Sequence, residues 1–220
     1  MQFVLFEKLA GLEGVELYML LAALLVAVLL IIAIARYRKN APDAPVTQAS
    51  RTKALVYGAL CVSLSFILSY VKLFELPMGG SVTLCAMLPI CLYASVFGFR
   101  YGIIAGVALG LLQLLQDLYV VHWAQLLLDY IIAFSCYGLA ALFPRKLQLG
   151  LAVAGVGRLI CSVLSGVIFF AEYAAGWDSV WAYSLAYNGS YMLAETLLCI
   201  LVSLIPAVRA ISAQMEKARA

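Results

Sequence analysis

Charge is what this 220-residue chain has least of. Asp, Glu, Lys and Arg make up 11% of it, against 66% hydrophobic residues, and the mean hydropathy is +1.06. That balance excludes a soluble domain with one core, because no soluble fold hides so many apolar runs inside itself. Histidine is scarcer still. His122 is the single one, so histidine-based metal chemistry has little to build on. The six cysteines (Cys61, Cys85, Cys91, Cys136, Cys161 and Cys199) form no C-x-x-C pair and lie in apolar runs. They read as small buried hydrophobes. The chain contains no G-x-S-x-G, no H-E-x-x-H and no phosphate-binding loop, since Gly79-Gly80-Ser81 lacks the lysine and the strand–helix setting. Transport against a gradient would therefore draw on ions or on a partner, not on nucleotide hydrolysis by the usual loop. A basic stretch ahead of the first apolar run is also missing. Glu7, Lys8, Glu13 and Glu16 stand there, so the expectation is a spanning helix and not a cleaved signal peptide.

What remains is a series of apolar segments with short polar punctuation, the pattern of an all-α polytopic membrane bundle. Spans are expected over residues 16–35, 54–71, 82–97, 103–115, 123–143, 149–170 and 183–206. Residues 40–51 carry two prolines and no apolar periodicity and read as a linker. The expected organisation is an extra N-terminal transmembrane helix in residues 1–39, a linker at 40–51, a six-helix membrane domain at 52–208 and a cytoplasmic tail at 209–220. Basic residues recur in alternate connections: Arg36, Arg38, Lys39, Arg51 and Lys53, then Arg100, then Arg145 and Lys146, then Arg209, Lys217 and Arg219. The positive-inside rule places these in the cytoplasm of a bacterial cell and the N-terminus outside. The Gly79-Gly80-Ser81 loop, the His122 region and the aromatic loop after residue 170 then share the outer side. Gly102, Gly106 and Gly110 recur every four residues, the spacing that lets helix backbones touch. Ala59 and Ser63 repeat it on an earlier span, either as packing or as a patch that meets another membrane protein.

The few polar and aromatic residues cluster on that outer side. Asp129 lies about a turn and a half into the fifth span, where a carboxylate needs a partner or a polar cavity. A helix-start residue near the headgroups is the plainer reading. Gln125 sits one turn earlier on the same face, Tyr130 follows Asp129, and His122 stands at the interface. Further on come Phe170, Trp177, Trp181, Tyr183, Tyr187, Asn188, Tyr191 and Glu195. An ordinary interfacial aromatic belt accounts for the tryptophans, but poorly for Asn188 and Glu195. Arg158 lies inside the sixth span and either snorkels or pairs with a buried acid. Acids among aromatic rings suit an organic cation. On the residues alone three classes stay open: a carrier of a cationic or aromatic small molecule, a membrane-embedded acid–base enzyme using Asp129, Glu195 and His122, and a scaffold with no ligand.

Three separated stretches narrow this. Leu76-Pro77-Met78-Gly79-Gly80-Ser81-Val82-Thr83-Leu84 is the first. Tyr119-Val120-Val121-His122 with Gln125-Leu126-Leu127-Leu128-Asp129-Tyr130 is the second. Ser165 to Ala174, followed by Tyr183-Ser184-Leu185-Ala186-Tyr187-Asn188-Gly189-Ser190-Tyr191, is the third. In this order they resemble the thiamine-specific substrate-binding components of energy-coupling factor transporters, over about residues 52–208. The resemblance implies a six-helix core that binds thiamine at its outer side, with no cofactor. It also implies uptake driven by a membrane coupling protein and two cytoplasmic ATPase subunits. It further implies that Asp129 neighbours the thiazolium, that Tyr183 and Asn188 hydrogen-bond the ligand, and that Phe170 stacks on it. By the same resemblance Ala59 and Ser63 touch the coupling protein. Two features depart from the pattern: Ser162 stands where a histidine is usual, and the helix over residues 16–35 is extra. The serine opens the way to a thiamine precursor or analogue.

Overall fold

A computed structural model describes residues 48–116 and 119–219 of the chain. The expected first span and most of the linker lie outside the described residues. Helix α1 (Gln48–Ser69) is followed by a two-stranded hairpin, β1 (Lys72–Glu75) and β2 (Ser81–Thr83). Then come α2 (Met87–Phe97), α3 (Phe99–Gln116), the composite helix α4 (Trp123–Leu142), α5 (Leu147–Phe169), α6 (Val180–Ser203) and α7 (Pro206–Arg219). Five of these, α1, α3, α4, α5 and α6, are long and apolar enough to cross a membrane. At about 1.5 Å per residue, such lengths match a hydrocarbon core of about 30 Å. The protein is a multi-pass helical membrane protein, as the hydropathy requires.

The expected span at residues 82–97 forms differently. Only the 11 residues of α2 are helical, and every one of them is buried. The helix is short because the first residues of the expected span are taken up by the hairpin, and its neighbours enclose it on every side. The residues ahead of it turn back as β2, antiparallel to β1 with a shift of register between Lys72 and Phe74. At the hairpin tip Met78 and Gly79 both take positive φ (67° and 89°), and glycine carries that geometry without cost.

The glycine stripe on α3 is internal packing. A Cβ on Gly106 would overlap the carbonyl of Phe134, and one on Gly110 the carbonyl of Tyr130. The backbones of α3 and α4 thus touch directly. At the basic end, the residues expected as a polar tail form α7 instead. Val208, Ser212 and Met215 recur at helical spacing on its inner face, and Met215 is fully buried. Arg219 donates to the Val96 carbonyl at 2.5 Å, and its own carbonyl accepts from Ser50 Oγ at 3.2 Å. This ties α7 to the end of α2 and the start of α1. That start, Gln48, lies inside the stretch read as linker. Ala59 and Ser63 lie on the exposed face of α1, beside Leu60, Leu64 and Ile67.

Candidate functional site

At the end of the bundle opposite α7, a cavity of about 190 Å³ opens between the hairpin and helices α3 to α6. It draws together the three connections that the charge pattern assigned to one side. Of the residues singled out in the sequence, Gln125, Asp129, Tyr130, Phe170, Tyr183, Tyr187, Asn188 and Glu195 line it. His122, Trp177 and Trp181 do not.

Asp129 and Tyr130 are sequence neighbours, which an α-helix would point roughly 100° apart. Both line the cavity, and residues Leu127–Ile132 form a π-helical stretch, a widened turn that concentrates at functional sites. Asp129 Oδ2 accepts hydrogen bonds from Gln125 Nε2 (2.7 Å) and from Ser165 Oγ on α5 (2.6 Å). Gln125 is itself held by the Val121 amide and the Tyr119 carbonyl, both at 3.3 Å. The carboxylate is therefore fixed in position by neutral donors.

Deeper in the cavity, Glu195 is almost fully buried. Its Oε1 accepts from Thr83 Oγ1 at 2.5 Å, and its Oε2 lies 3.6 Å from Arg158 Nη1. Arg158 also donates to Tyr137 Oη at 2.6 Å and stacks over the Phe134 ring at 4.6 Å. The alternative left open for this arginine is settled in favour of pairing. A buried charge survives where a partner and hydrogen bonds replace water. Arg158, Thr83 and Tyr137 escaped the sequence reading as site residues. The one available signal was the charge itself, sitting inside an apolar span one turn before Ser162.

Asn188 braces α6 against α5. Its Nδ2 donates to the carbonyls of Ser184 (3.0 Å) and Ser162 (3.3 Å), and its Oδ1 accepts from Tyr191 Oη at 2.9 Å. Tyr187 donates to the Pro77 carbonyl and accepts from the Gly80 amide at 3.0 Å, which fastens the hairpin tip to α6. The mouth is aromatic. Tyr119 stacks on Phe170 with ring centroids 5.8 Å apart, and Tyr183 stacks on Tyr187 at 6.1 Å. Trp177 is half-exposed and meets Tyr183 edge-on, one ring removed from the cavity. Trp181 is fully buried among the helices. His122 caps α4, its Nδ1 accepting from the Ala124 amide, and its ring stacks on Phe169. An extended residue ahead of a helix with an acceptor side chain is a cap by geometry, so Asp129, Glu195 and His122 are not assembled as an acid–base set. Ser162 lines the cavity.

Membrane-length helices around a half-enclosed cavity, with fixed carboxylates inside and stacked rings at its mouth, define a solute-binding membrane protein. The thiamine transporter protein family (Thia_YuaJ) matches residues 55–214, and the chain belongs to that family. The thiamine transporter ThiT of Bacillus subtilis (strain 168) is 32% identical over 174 residues, covering 70% of this chain and 90% of that protein. Among solved structures, ThiT from Listeria monocytogenes has the same fold. Its TM-score is 0.61 at 24% identity, over 76% of this chain and 95% of that one.

Proposed function

We propose that the chain is the substrate-binding component of a thiamine uptake system, taking thiamine into the cavity from the outer face of the membrane. The observation that carries this reading is the placement of Asp129. It is a carboxylate held by two neutral donors inside an aromatic-mouthed cavity, in a chain of the thiamine transporter family. Thiamine is an aromatic cation, so a fixed carboxylate offsets the thiazolium while Phe170, Tyr119 and Tyr187 present ring faces to it. Tyr183, Ser162 and the spare lone pair of Asn188 Oδ1 are the groups we assign to the pyrimidine edge.

In this reading the basic end of the bundle, with α7, faces the cytoplasm. A membrane coupling protein and two ATPase subunits supply the driving energy, and the exposed α1 patch at Ala59 and Ser63 meets the coupling protein. The test is a fluorescence titration of detergent-purified protein with thiamine, its phosphate esters and its pyrimidine precursor. Saturable quenching by thiamine at submicromolar concentration, with weaker response to the precursor, is the expected result. A flat signal, matched by calorimetry with no heat of binding, removes the proposal.

A further inference from the structure

Among the described residues four charged side chains line the cavity: Lys72, Asp129, Arg158 and Glu195. Lys72 stands at the rim and is bound to Glu75 at 2.9 Å, so that pair brings no net charge. The inner part of the cavity holds two carboxylates and one guanidinium. The guanidinium sides with Glu195 at 3.6 Å, whereas Asp129 takes its two hydrogen bonds from an amide and a hydroxyl. Arg158 cannot swing away easily. Tyr137 Oη holds it at 2.6 Å, and the Phe134 ring lies under it. Glu195 in turn is tied to the hairpin through Thr83.

We propose that Arg158 determines the charge of the ligand this cavity accepts. By neutralising Glu195 it leaves Asp129 as the one carboxylate of the inner cavity, among the described residues, without a cation paired to it, so the site favours a solute carrying one positive charge. The inference rests on the thiamine reading above and adds to it a role for a residue that touches neither the thiazolium nor its carboxylate partner. In a partly desolvated cavity each bare charge acts strongly on another a few ångströms away, so the count of charges at the inner end decides the preference.

The experiment compares two ligands on the same samples: thiamine and its neutral isostere with a thiophene in place of the thiazolium. The readout is the ratio of their dissociation constants by calorimetry. A partly misfolded variant weakens both apparent affinities by one common factor and leaves that ratio intact. Glu195→Gln strands the guanidinium, and the preference for thiamine should fall by about tenfold or more. R158Q/E195Q removes both charges and should restore the preference to within about threefold of the native value. Should E195Q fail to accumulate, R158Q carries the test. It leaves no positive charge at the inner end whether or not the unpaired Glu195 takes up a proton, so the preference for thiamine should not fall. An unchanged ratio in E195Q, a ratio in the double variant as low as in E195Q, or a ratio in R158Q more than about threefold below native overturns the proposal while thiamine binding itself stands. Failure of the native protein to bind either compound overturns the functional reading, and this one with it.

Discussion

Replacing Asp129 by asparagine tests the electrostatic core of the site with the least disturbance of shape. The side-chain amide would keep an oxygen where Gln125 Nε2 and Ser165 Oγ now donate at 2.7 and 2.6 Å, so the local geometry survives while the charge goes. Opposite charges about 5 Å apart at an effective dielectric near 20 attract by about 3 kcal/mol. Asp129 is only half-buried and the cavity opens to water, so screening lowers the net loss to about 2 kcal/mol. At about 1.4 kcal/mol per factor of ten, the dissociation constant for thiamine should rise roughly 30-fold, and up to about 150-fold if the loaded cavity is dry. The neutral thiophene isostere should lose far less. Titration calorimetry on detergent-purified protein reads both numbers. A thiamine affinity within threefold of native in Asp129→Asn would refute the reasoning outright, and so would equal losses for the two ligands.

Ser165→Ala removes one of the two donors that hold the Asp129 carboxylate and should weaken thiamine binding by about 1 kcal/mol, roughly fivefold, with little change in melting temperature. Unaltered affinity would show that the serine does not position the acid. Gly110→Val puts side-chain carbons onto the Tyr130 carbonyl. It should destabilise the protein by about 1–3 kcal/mol or prevent its accumulation, and a melting curve equal to native would deny the close α3–α4 contact. Met215→Ala opens a void under α7 that costs about 2–5 kcal/mol. Earlier proteolytic release of the C-terminal segment is expected, and native resistance would mean that α7 is not anchored there.

The sequence announced the bundle through long apolar runs, because a helix that meets lipid must be apolar along its whole length. The same criterion overran the start of the segment at 82–97, whose first residues are apolar enough for a helix but pair with β1 as β2. Alternate basic connections brought the hairpin tip, the start of α4 and the aromatic loop to one end without any knowledge of packing. The i,i+4 spacing of Gln125 and Asp129 likewise announced their shared face. The π-helical turn was not legible, because it changes hydrogen-bond register without changing composition. Trp181 and Trp177 show the same limit. An aromatic residue at an interface is equally at home in a core, on a rim or in a site, and only contacts decide. Arg158 was visible as an anomaly, but its partner Glu195 lies on another helix, far along the chain, where no local pattern points.

The direct backbone contact between α3 and α4 has a mechanical side. With no side chains interposed at Gly106 and Gly110, the two helices have nothing to slide on and behave as a single plank. Asp129 is mounted on that plank. Whatever rearrangement lets a solute in or out, the wall bearing the acid travels as a unit, and the compliance has to come from elsewhere around the rim.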